Sequence, residues 1–145
     1  MVVVLVHAAA TWFMVGLIWF VQVVHYPLAA TVGEDAFVSY QHAHMARTSV
    51  VVIPAMVTEL VAAGWLLIDQ SAGIPDWAPW LGAILLGAVW ASTALLQVPA
   101  HSALTMGLDE DQVRRLVSTN WVRTIGWSLR GILAIALVYW AIPAR

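Results

Sequence analysis

The residues of this chain that could do chemistry are few and grouped. All five histidines (His7, His25, His42, His44 and His101) lie in or beside long apolar runs, with Arg47, Glu59, Gln97, Asn120, Arg123 and Arg130. An ionisable side chain at membrane depth costs several kcal/mol, so each of these implies a partner, a ligand or a role. Neutral imidazole nitrogens bind iron, copper or zinc, and His25, His44 and His101, with His42 as a fourth donor, read as a candidate metal centre. A histidine-only set also suits axial ligation of a haem. The Glu plus Glu-x-x-His pattern of a ferritin-like site is absent. The same residues read equally as a buried hydrogen-bond network that fixes helix register.

Two arginines pull against a bare metal ion. Arg47 and Arg123 suit instead a clamp on a carboxylate, a phosphate, or the oxygens of a quinone-like or phenolic molecule. His7 and Glu59 form a second, smaller pair. A hydrogen bond between them would neutralise both, and a proton path by way of Arg130 is the functional alternative. Tyr26 and Tyr40 flank the main group, where they could hold a substrate, donate protons or anchor helix ends at the interface.

The elements that must carry these residues follow from composition. Of 145 residues, 62% are hydrophobic and only 10% charged, with mean hydropathy +0.86. A soluble domain is about one-quarter charged, so these values identify a membrane protein. There is no Cys, which excludes thiolate metal sites, disulfides and redox thiols. All six basic residues are Arg, and a net charge of -2 leaves no footprint for nucleic acid. Four apolar runs, near residues 2–25, 45–68, 77–100 and 119–142, are each long enough to cross about 30 Å of hydrocarbon. The first lacks a basic leader and is too long for a signal-peptide core, so it reads as a retained helix. The expectation is one all-α domain, a four-helix antiparallel bundle in the lipid bilayer, small enough to form a homo-oligomer. Arg47, Arg114, Arg115 and Arg123 lie on the side of the two long connections, and Arg145 on the other. That bias puts the long connections in the cytoplasm, in a bacterial cytoplasmic membrane.

The chain also reads as one hairpin written twice. Pro27, Glu34-Asp35 and Arg47-Thr48 are answered by Pro99, Glu110-Asp111 and Arg123-Thr124, with equal spacing from Asp35 to Arg47 and from Asp111 to Arg123. In this register His44 corresponds to Asn120 and His25 to Gln97. Asp35 and Asp111 then suit helix N-termini, from which the second and fourth helices run on into the membrane. Helical phase puts His7, Thr11, Met14, Ile18, Gln22 and His25 on one face, and Asn120, Arg123, Trp127 and Arg130 on another. His42 and His44 differ by about 200° in direction, so only one can face inward, and His44 is favoured. Pro54 is a candidate kink between the two polar layers.

Gln97-Val98-Pro99-Ala100-His101 followed by Asn120-Trp121-Val122-Arg123-Thr124 resembles the anthrone-oxygenase-like family of small four-helix membrane proteins. The resemblance covers mainly the second half. It implies Pro99, Asn120 and Arg123 as site residues and oxidation of a flat, phenolic, lipophilic molecule. His101 stands where that family tends to have Asn, a departure that bears on the substrate and favours a metal.

The function expected from these readings is a membrane oxidoreductase acting on a lipophilic aromatic or quinone-like molecule. His44 and His101 would act as acid and base or as metal ligands, and Arg123 would stabilise oxyanion charge. Asn120, Arg47, Gln97 and Tyr26 would orient the substrate. Two other classes stand beside it: a haem- or metal-binding electron-transfer subunit, and a small transporter or channel.

Overall fold

A computed structural model describes residues 1–69 and 73–142. Arg145, used above for orientation, lies outside the described residues. Four helical rods make up the fold: α1 (Val2–Ala29), α2 (Glu34–Ile68), α3 (Trp77–Leu104) and α4 (Glu110–Ala141). Each is long and apolar enough to span a bilayer, and no strand occurs among the described residues. The chain is an integral membrane protein built as an all-α four-helix bundle. Its large apolar side chains point outward as often as inward: Val50, Ile84, Leu95 and Ile132 are all mostly exposed. An outward apolar surface of this extent suits lipid and not water.

The two long connections expected from the sequence are mostly helix. Only Ala30–Gly33 and Thr105–Asp109 remain outside the rods. At 1.5 Å per residue the 35 residues of α2 reach about 52 Å, so its first turns project beyond the hydrocarbon. Both polar starts behave as helix N-termini, though in each the cap lies two positions before the expected one. Asp109, not Asp111, caps α4, its Oδ1 accepting from the N–H groups of Asp111 and Gln112 at 2.9 and 3.1 Å. Gly33 holds the N-cap of α2, with Glu34 and Asp35 in the first turn where the helix dipole favours them.

A π-helical turn interrupts each of the other two rods, at Val21–His25 in α1 and Thr93–Gln97 in α3. Both end two residues before a proline, Pro27 or Pro99, and the two turns stand 72 positions apart, as do the prolines. Proline has no N–H to give the preceding turn, and an extra residue in that turn re-pairs the backbone around the gap. The wider turn also shifts helical phase. His25 is therefore rotated partly out of the face it would share with His7, and Tyr26 is buried in its place, while Gln22 stays buried on that face as expected. By contrast α2 runs unbroken through Pro54.

Packing is uneven around the bundle. α1 lies against α2 and α4, and α3 lies against α4, while α2 and α3 touch sparingly. Met14, Ile18, Met56, Val89 and Trp127 fill the centre, and Tyr26, Phe37, Leu104 and Leu116 the end near the two short connections. The gap between α2 and α3 is where the site lies.

Candidate functional site

Two polar layers cross the bundle. The layer nearer the termini is sealed: His7, Glu59 and Arg130 are each at most 3% exposed. Arg130 Nε donates to Glu59 Oε1 at 2.8 Å, and its other nitrogens reach the Gly82 carbonyl and His7 Nε2, the latter at 3.1 Å. Thr11 donates to Glu59 Oε1 at 2.8 Å and Trp127 Nε1 to Oε2 at 3.0 Å. The expected direct bond between His7 and Glu59 is not formed, because Arg130 stands between them and bonds to each. All four helices contribute to this layer, and its chemistry is that of a neutralised structural tie.

The second layer borders a cavity of about 380 Å³ between α2 and α3. Its walls are apolar, from Met14, Ile18, Val52, Met56, Trp90 and Val98. Polar groups gather at one end: Tyr26, His44, Thr48, Gln97, His101 and Arg123. Arg123 is 8% exposed, its guanidinium bonded to Asn120 Oδ1 at 3.3 Å and lying over the Trp127 ring. Asn120 is held in turn by donation to Gln22 Oε1 at 2.7 Å, and Gln22 donates to the Val117 carbonyl. Gln97 donates to Thr119 Oγ1 at 2.9 Å. A preorganised cation thus sits at the end of an apolar chamber.

Three of the four candidate histidines meet: His25 stacks on His44, and His101 lies tilted against His44. His25 and His44 lie 4.4 Å apart with planes 19° from parallel, and His44 and His101 lie 5.2 Å apart. The near-parallel rings of His25 and His44 send their in-plane nitrogens along parallel lines, whereas a metal needs them to converge. Those nitrogens are also largely engaged: His25 Nε2 by Tyr40, His44 Nδ1 by Thr48, and His101 by Tyr26 and Gln41. Among the described residues no group of three or more potential ligands is placed to hold a metal ion. The metal centre expected from His25, His42, His44 and His101 does not fit this arrangement.

The remaining expected residues divide clearly. His42 is exposed, on the far side of α2 from His44, as the 200° offset requires. Arg47 is exposed as well, so it forms no clamp with Arg123. The inward sector of α2 passes through His44, Met45, Thr48, Ser49 and Val52, and residue 47 falls outside it. Asn120 sits behind Arg123 and does not line the cavity, which makes it a positioning residue. Gln41 was not anticipated, yet it makes the closest contact to His101, at 2.9 Å. Its spacing of three from His44 and seven from Thr48 was the available signal.

Comparison with known proteins returns nothing: no family model, curated protein or solved structure matches this chain.

Proposed function

We propose that this chain is an integral membrane oxidoreductase acting on a flat lipophilic phenol or quinone-like molecule taken up in the cavity between α2 and α3. The observation that carries this reading is the join of an apolar chamber of about 380 Å³ to one polar end built from Tyr26, His44, Gln97, His101 and Arg123. Ligand sites of this kind are mostly apolar with a few convergent polar groups, and the volume suits a two- or three-ring aromatic. A lipophilic ring system would fill the chamber, with its oxygen at the polar end. Arg123, held by Asn120 and by the Trp127 ring, would stabilise negative charge developing on that oxygen. His44 is the base in this scheme: the O–H bond of the phenol breaks and an N–H bond forms on the imidazole. For a hydroquinone substrate with dioxygen as electron acceptor, loss of two protons and two electrons gives the quinone, and dioxygen becomes hydrogen peroxide.

The sealed Glu59–Arg130 layer supports a site that loads from the bilayer over a path running through the bundle. The arginine bias supports an orientation with the α1–α2 and α3–α4 connections in the cytoplasm. The test is oxygen uptake by purified protein in lipid nanodiscs with naphthohydroquinone. Uptake above that of empty nanodiscs, lost in Arg123→Gln, is the expected result. Binding of naphthohydroquinone and naphthoquinone no tighter than to empty nanodiscs would sink the reading.

A further inference from the structure

The contacts of Gln41 decide which nitrogen of His101 carries the proton. Gln41 Nε2 lies 3.2 Å from the His101 carbonyl oxygen and 2.9 Å from His101 Nδ1. A carbonyl only accepts, so the Gln41 atom facing it is the amide N–H₂ and not the amide oxygen. The same N–H₂ group therefore donates to Nδ1, which must present its lone pair. In the neutral ring the proton is then on Nε2. His101 Nε2 lies 3.2 Å from the Tyr26 hydroxyl, so it donates there and the tyrosine oxygen accepts. Tyr26 has its own hydroxyl hydrogen left over, and both Tyr26 and His101 border the cavity.

We propose that Gln41 locks His101 as the Nε2–H tautomer, and so sets the Tyr26 hydroxyl as a hydrogen-bond donor to the cavity's ligand. Two consequences follow. His101 has no free lone pair in this arrangement, which leaves His44 Nε2 as the cavity-lining imidazole nitrogen without a partner among the described contacts. The polar end also becomes rich in donors, since Tyr26 joins the Arg123 guanidinium there. It thereby selects ligands that place an acceptor oxygen, carbonyl or phenolate, at that end. Gln41 acts through His101 and is a positioning residue, whereas Tyr26 touches the ligand. The ligand class rests on the function proposed above, and the tautomer does not.

Nitrogen-15 NMR of histidine-labelled protein in detergent reads the tautomer directly. The expected spectrum has His101 protonated at Nε2, and Gln41→Leu converts it to a mixture of tautomers. The second measurement is isothermal titration with naphthoquinone and with naphthalene, which has the ring system but no acceptor. Tyr26→Phe should weaken naphthoquinone about tenfold, as expected when one buried hydrogen bond to a ligand is lost, and leave naphthalene unchanged. A His101 signal protonated at Nδ1, or naphthoquinone binding unchanged in Tyr26→Phe, overturns the proposal. If wild-type protein binds neither compound, the proposed ligand class fails and the NMR result still decides the tautomer.

Discussion

The guanidinium of Arg123 lies over the indole of Trp127, 5.3 Å from the ring centroid, and this contact ties the open polar layer to the sealed one. The face of the ring attracts the cation, while its N–H is spent on Glu59 in the other layer. Trp127→Phe keeps an aromatic face for Arg123 but leaves Glu59 Oε2 without its donor. A buried acceptor that loses its partner costs about 1–3 kcal/mol, and denaturant unfolding in detergent micelles should register that loss. Trp127→Leu should cost more again, because the cation then also loses its ring.

Removing one half of the sealed ion pair should be worse than removing both. Glu59→Gln leaves Arg130 charged and fully buried, a change that costs about 3–5 kcal/mol for interior pairs. Glu59→Leu combined with Arg130→Leu removes the uncompensated charge altogether. The double variant should unfold at higher denaturant than Arg130→Leu with Glu59 intact. A strictly additive cycle would show that the two side chains are independent, against the 2.8 Å contact between them.

How far the sequence reveals this site depends on what each side chain is measured against. Helical phase was enough for α4, where Asn120, Arg123, Trp127 and Arg130 are all buried, because that helix is regular. It failed on α1, where the π turn before Pro27 rotates His25 partly outward and brings Tyr26 in. Arg47 was misplaced for another reason. The repeat register paired it with Arg123, but matching positions in two hairpins share a depth and not a direction. The histidine cluster was legible as a cluster, while its stacking depends on side-chain rotamers that residue spacing does not encode. Helix ends were underestimated because polar residues such as Gln41 continue a helix beyond the hydrocarbon.

The close approach of α3 and α4 should be intolerant of a single methyl group. A Cβ placed on Gly126 would stand 2.6 Å from Val89 Cγ2, and Val89 is completely buried with a short, branched side chain that cannot swing away. Gly126→Ala gains helix propensity of about 1 kcal/mol, and overpacking of about 1–3 kcal/mol opposes it. A net loss of stability is expected, detectable as a lower unfolding midpoint. Gly87→Ala is the control: nothing lies within 4 Å of its Cβ, so it should hold or raise the midpoint.

Access to the cavity should run through the bilayer-facing seam between α2 and α3. Ile53 on α2 and Ala94 on α3 both line the cavity and are themselves exposed on the outer surface. A large ring at either position would stand in the mouth of the cavity. Ala94→Trp should therefore weaken naphthoquinone binding by about tenfold or more, the equivalent of roughly 1–3 kcal/mol of crowding at the opening, with the unfolding midpoint unchanged. Ile132→Trp adds the same ring to a surface of α4 that does not border the cavity, and it should leave binding as it was. Equal weakening by both substitutions would mean that the ring acts through the lipid or the overall fold. Weakening by Ala94→Trp alone locates the route by which a lipophile reaches the stacked histidines.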